Sequence, residues 1–271
     1  MFLSPGIICQ PNVVTNKNLY QMIQAIGGTS NLRLCLDAGA SNSYDGTSQY
    51  WYDLSGNNEN FILGNNTNVN SYDPTFHGTA GGLSSSEYFS FDGGDRFTSA
   101  TSSSILNNTL TLNSSFTLCT VMYFSTAGTS SSDFLAHATD SYRQYWYYNA
   151  GYGGAAFDGT FTFKDSGDWG KAGLFTYGSW HVLIHRMDLT TAINGSFANG
   201  SWKAYVNGVL TEVYPSNLDY YPSGSAGVLN LCTAVPNGTL LAGVALWDRG
   251  LSTTEMASLY TQIKTRFTGL P

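Results

Sequence analysis

Short hydrophobic runs separated by Asn, Gly, Ser and Thr clusters fill most of this chain. Leu32, Leu34 and Leu36 alternate with Arg33, Cys35 and Asp37, the period of a half-buried strand. Similar runs follow as YFSFDG, SFTLCTVMYFS, FLAHAT, YRQYWYYN, GTFTFKD, WHVLIHRMD, WKAYVNGVLTEVY, GVLNLCTA and LLAGVALWD. Many short strands punctuated by turn residues predict an all-β sandwich or barrel. No alternation of strand with helix is visible. Asn207-Gly208 is the strongest hairpin signal, because a type I′ turn needs positive φ at both central positions.

Two segments carry the helical period instead. Leu19, Met22, Ile23 and Ile26 predict a short helix that Gly27 and Gly28 stop. Near the C-terminus, Leu251, Met256, Leu259, Tyr260 and Ile263 form an apolar stripe. Ser252 and Glu255 make a capping box at its start, and Lys264 and Arg266 sit where the helix dipole favours cations. Residues 1–30 show no strand alternation and read as an extended arm followed by the first helix. Phe2, Leu3, Ile7 and Ile8 are the arm's candidate partner-binding residues. So short a helix forms no core alone. It docks on its own sandwich or clasps a neighbouring subunit. The expected organisation is an arm and helix over 1–30 and a sandwich over 31–271.

Composition narrows the function classes. Aromatics make up 14% and charged residues 11%, against about 25% charged in ordinary globular chains. So many aromatic and β-branched residues exclude disorder. The net charge of −7, with 11 Lys and Arg and no basic stripe, argues against nucleic acid as a partner. No apolar run approaches the roughly 18 residues that span a bilayer, so no membrane partner is expected. The opening MFLSPGIICQP has no basic n-region and reads as lacking a signal peptide, which places synthesis in a cytoplasm. Cys9, Cys35, Cys119 and Cys232 are scattered and read as buried thiols, with a Cys35–Cys232 disulfide as the alternative.

The residues that could carry catalysis are sparse. Glycoside hydrolysis needs two carboxylates about 5–9.5 Å apart. The four glutamates, Glu59, Glu87, Glu212 and Glu255, do not fall on one strand. No Gly-x-Ser-x-Gly elbow accompanies His77, His137, His181 and His185. No enzyme is expected. Aromatic platforms for glycans are abundant. Tyr142, Tyr145, Trp146, Tyr147, Tyr148 and Tyr152 cluster in one segment, Trp169 sits in a Gly-rich loop, and Tyr220 and Tyr221 are adjacent. Trp169, Tyr152, Tyr220 and Tyr221 are the glycan-binding candidates. The same residue types serve cores and protein interfaces.

Taken in order, several motifs resemble the concanavalin A-like, laminin-G-like jelly-roll family over roughly residues 32–267. They are Leu36-Asp37-Ala38, Tyr44, Gly46, Trp51-Tyr52-Asp53-Leu54-Ser55-Gly56 with Asn57-Asn58, Phe91-Asp92-Gly93, Trp180-His181, Tyr205-Val206-Asn207-Gly208 and Leu246-Trp247-Asp248-Arg249-Gly250-Leu251-Ser252. The resemblance implies a two-sheet antiparallel sandwich whose first and last strands are neighbours. It allows calcium at the rim, with Asp92 and Asp95 as ligand candidates. Asp92 also fits a plain Asx turn. Domains with these motifs look most like those of phage and large-virus virion proteins. The expectation is therefore a non-enzymatic virion component, a capsid decoration or fibre attached to other virion proteins or to copies of itself through its arm. The alternative is an adhesin module for host glycans, and the third reading is a glucanase-type hydrolase.

Overall fold

The computed structural model describes residues 16–102, 115–125, 132–137, 144–148, 161–164, 168–171, 176–188, 192–193, 196–197, 202–213, 228–233 and 235–271. Among the described residues two helices flank the strands, α1 (Leu19–Ala25) and α2 (Thr253–Arg266). The strands in the first half of the chain are β1 (Leu32–Asp37), β2 (Tyr50–Trp51), β3 (Phe61–Leu63), β4 (Thr75–His77), β5 (Tyr88–Ser90), β6 (Phe97–Ser99), β7 (Phe116–Phe124) and β8 (Ser132–His137). Then come β9 (Gln144–Tyr148), β10 (Phe161–Lys164), β11 (Asp168–Lys171), β12 (Ser179–Met187), β13 (Ala192–Ile193) and β14 (Ser196–Phe197). The series closes with β15 (Trp202–Val206), β16 (Val209–Val213), β17 (Leu229–Thr233) and β18 (Leu240–Trp247).

Two eight-stranded antiparallel sheets make an all-β sandwich. The first runs β16-β15-β12-β7-β18-β5-β4, with β1 also paired to β18. The second runs β11-β10-β9-β8-β17-β6-β3-β2, and β13 and β14 form a separate two-stranded ribbon. First and last strands are neighbours, as the motif order implies, with Leu36 opposite Val244. Between the sheets lies an aromatic core. Trp51 and Phe97 of the second sheet meet Phe89 of the first, with ring centroids 4.9 Å apart for each pair.

Around β1, β7, β12 and β18 the first sheet is buried on both faces, which the alternation of β1 does not reveal. Leu34 and Leu36 enter the inter-sheet core, while Cys35 points the other way. A bulge between Leu32 and Leu34 turns Leu32 to that other side as well. There the two helices form a second core. Leu19, Met22 and Ile23 of α1 pack with Met256, Leu259 and Ile263 of α2 over Cys119, Val121, Val182, Ile184 and Ala245. The half-buried reading of β1 is therefore corrected. Its polar-looking face is roofed by helices, and Asp37 is only 1% exposed.

Local signals explain the helices. Asn18 caps α1 in a reciprocal box with Gln21, and Gly27 follows at φ 70°. Of the two docking choices, α1 takes its own sandwich. Its Leu19 N–H donates to Asp37 at 2.6 Å, and Trp247 Nε1 donates to the Gly28 carbonyl at 2.6 Å. Ser252 and Glu255 form the expected capping box on α2. Glu255 also grips Arg249, at 2.6 Å and 3.1 Å, which holds its carboxyl down at about 2.

The thiols sit as expected for buried cysteines. Cys35, Cys119 and Cys232 are free and buried, and burial raises all three, Cys119 to about 12. The alternative Cys35–Cys232 disulfide does not form. Cys35 faces the helices and Cys232 faces the inter-sheet core, on opposite sides of the first sheet. Cys9 lies outside the described residues.

Candidate functional site

A groove of about 440 Å³ lies along β4, β5 and the start of β18 in the first sheet. Strand alternation builds its floor. Phe76, Phe89 and Leu241 point inward, so their neighbours Thr75, His77, Tyr88, Ser90 and Leu240 face out. The ladder sets Thr75 and Leu240 on either side of Ser90, and His77 opposite Tyr88. The His77 and Tyr88 rings stack, with centroids 4.9 Å apart and planes at 24°. His77 Nε2 is 2.8 Å from Ser90 Oγ. Tyr88 continues into an aromatic row with Trp180, centroids 5.7 Å apart, and Trp180 reaches Phe267 at 5.4 Å.

One end of the groove is acidic. Asp73, Asp92 and Asp95 line it together with Asn237. Asp92 accepts the Gly94 N–H at 2.9 Å, the Asx turn that the sequence allows. Asp95, 5% exposed, accepts the Asp92 N–H at 2.9 Å. Burial is the main reason that the Asp95 carboxyl rises to about 6. The Asp92 amide opposes the rise, and the Asp92 and Asp73 charges add to it. Asp73 accepts the Asn70 N–H at 3.1 Å, while its Oδ1 is buried without a hydrogen-bond partner among the described residues.

The residues named from sequence fall unevenly around this site. Asp92 and Asp95 share one turn at the groove's end. Each accepts a backbone N–H with one carboxylate oxygen and keeps the other. Among the described residues no three His, Cys, Asp or Glu side chains gather to hold a metal. Trp169 is in β11, opposite Phe163, rather than in a glycine-rich loop, and the strand pairing of Asp168 with Lys164 explains the difference. Its side chain, Tyr152, Tyr220, Tyr221 and the arm residues Phe2, Leu3, Ile7 and Ile8 lie outside what is described. His181 and His185 are buried in β12, 2% and 4% exposed, and work inside the fold.

Sequence reasoning passed over His77, Tyr88 and Asp73. The signal for the first two was present in the triplets TFH and YFS, each with an inward Phe between outward polar groups. What the sequence lacked was the pairing of β4 with β5, which sets the two rings side by side.

No family model matches this chain, and no curated protein matches it. Solved structures share its fold at low identity. Domain 4 of AbnA, an extracellular arabinanase of Geobacillus stearothermophilus solved with arabinotriose, is 14% identical with a TM-score of 0.52. That likeness covers 85% of this chain and 98% of that domain. The binding domain of Paraclostridial Mosquitocidal Protein 1 is 13% identical with a TM-score of 0.56, over 87% of this chain and 53% of its own. Trypanosoma rangeli sialidase is 9% identical with a TM-score of 0.52, over 89% of this chain and 37% of its own. This chain thus spans about half of the toxin domain and just over a third of the sialidase. These likenesses support the β-sandwich fold and nothing finer.

Proposed function

We propose that this chain is a non-enzymatic carbohydrate-binding module of the concanavalin A-like type, and that the groove between β4, β5 and β18 is where the sugar sits. The observation that carries this reading is the stacked His77–Tyr88 pair set beside Ser90, Asp92, Asp95 and Asn237 in one open groove. Sugars present apolar C–H faces ringed by hydroxyls. A half-exposed ring surface takes the first, and carboxylates, amides and hydroxyls take the second. The likeness to a whole arabinanase domain solved with arabinotriose supports the same reading.

The arrangement of carboxylates supports binding over hydrolysis. A glycosidase flanks the scissile bond with two carboxyl groups from opposite sides. Asp92 and Asp95 belong to a single turn, joined through the Asp92 amide. Glu87 is spent on the Ser84 N–H and hydroxyl, and Glu255 caps α2. The test is titration of the intact chain with neutral and charged oligosaccharides, followed by product analysis. Binding without release of shorter sugars is the expected result.

A place in a virus particle, with attachment through Phe2, Leu3, Ile7 and Ile8, is a separate proposal that rests on the motif resemblance. Two residues of those motifs have roles within the fold. Asp37 pairs with Arg266, and Asp53 accepts the Cys35 and Ser55 N–H groups at 2.9 Å and 2.8 Å. Neighbouring capsid or tail genes would support the virion setting.

A further inference from the structure

We infer that the groove discriminates by charge, taking sugars that lack acidic groups and rejecting sialylated and uronate glycans. This inference rests on the binding reading above and names the ligand class for the same groove. Asp73, Asp92 and Asp95 line one end of the groove, and no Lys or Arg lines it among the described residues. The cation next in sequence, Arg96, is directed elsewhere. Its guanidinium stacks over the Tyr72 ring, 4.6 Å from the centroid. His77 is the remaining titratable group besides Tyr88, and its Nε2 is committed to Ser90.

The anionic end is built into the fold. Asp95 is 5% exposed and lines the groove, with one oxygen tied to the Asp92 amide. It cannot swing into bulk water to relieve repulsion. Asp92 is fixed by Gly94 and Asp73 by Asn70. A ligand carboxylate entering here meets fixed like charges, which an interface of this kind penalises strongly. The chain's net charge of −7 adds a repulsive field of the same sign. A neutral sugar escapes both costs, and its hydroxyls can donate to the same oxygens. An ammonium-bearing sugar gains attraction.

Calorimetric titration of the full chain at pH 7.5 and low salt tests this. The probes are arabino-oligosaccharides (neutral), N-trimethylated chito-oligosaccharides (permanently cationic), and sialyllactose and oligogalacturonate (acidic). Cationic and neutral probes should bind, with the acidic ones weaker by about tenfold or more, a gap that narrows with added salt. Asp92→Asn keeps the oxygen that accepts the Gly94 N–H, so the turn survives, and it should narrow the gap further. Acidic probes bound as tightly as neutral ones would overturn the charge rule and leave the binding reading standing. A gap that Asp92→Asn does not alter would also count against the rule. If no probe of any charge binds, the binding reading falls and the rule falls with it.

Discussion

Arg266 Nη1 lies 2.8 Å from both carboxylate oxygens of Asp37, joining the last turn of α2 to the end of β1. The side chains are 2% and 1% exposed. Around this pair the carboxylate also accepts the Leu19 and Gly39 N–H groups, and Arg266 Nε donates to the Ser84 carbonyl. One buried ion pair thus ties α1, β1, α2 and the segment before β5. Gly39 leaves room for it, since a β-carbon there would come within 2.0 Å of the guanidinium. Asp37→Asn or Arg266→Met alone should cost about 3–5 kcal/mol, because each leaves a buried partner uncompensated. The double variant should cost less than the two single losses added together. Urea unfolding of the four proteins measures this.

The Asn207-Gly208 turn is stabilised from both sides. Asn207 sits at φ 53° and Gly208 at φ 78°, as a type I′ turn requires. A β-carbon on Gly208 would also stand 2.8 Å from the Tyr260 ring of α2. Gly208→Ala should therefore lower stability by about 1–3 kcal/mol, from backbone strain and ring displacement together. Gly56→Ala, at φ 90° with open space around it, isolates the backbone share for comparison.

Protonation should loosen the same hairpin. Asn207 Oδ1 accepts the Val182 N–H at 2.9 Å, so its amide nitrogen donates to His181 Nδ1 at 3.1 Å. His181 Nε2–H then donates to the Thr176 carbonyl at 2.8 Å, which fixes the neutral tautomer. Burial holds both His181 and His185 below the ordinary value of 6.5. The unfolded chain binds those protons first. Stability is then complete above about 6.5 and is lost as pH falls from there through the depressed folded values. His181→Gln should flatten part of that loss between pH 7 and pH 5. Asp95 works with opposite sign. Raised to about 6, it costs stability as pH climbs from the ordinary carboxylate range through that value, and Asp95→Asn should remove this dependence.

The sandwich was legible because its strands alternate and its turns carry Asn and Gly at positions that demand positive φ. The start of α2 was equally plain, since Ser252 and Glu255 announce its cap within four residues. What alternation could not show was the roof over β1. A strand covered by helices reads like one facing solvent when its outer residues are Arg33, Cys35 and Asp37, and the bulge at Leu32 hides in an unbroken Leu-x-Leu pattern. The groove was less legible still. Asp92 and Asp95 stood out as oxygen donors near one turn. His77 and Tyr88 are eleven positions apart in sequence and become a pair only when β4 and β5 align.

Helix α1 belongs to the folded body. Leu19, Met22 and Ile23 are 4%, 1% and 0% exposed against the first sheet and α2. Removing residues 1–28 should expose Cys35, Val121 and Ala245 and lower the unfolding midpoint in urea. Removing residues 1–15 leaves those contacts in place and should have a far smaller effect. Equal losses from both truncations would show that the residues before Asn16 stabilise the sandwich too.

The groove floored by His77 and Tyr88 is proposed to bind sugar. Calorimetric titration of the intact chain against neutral oligosaccharides, repeated with Tyr88→Ala and with Leu210→Ser at the exposed hairpin tip, tests it most directly. Saturable binding is expected, weakened about tenfold by loss of the Tyr88 ring and unchanged by Leu210→Ser, with both variants folded by circular dichroism. Binding that survives Tyr88→Ala at full strength, or no binding by the intact chain, would contradict it.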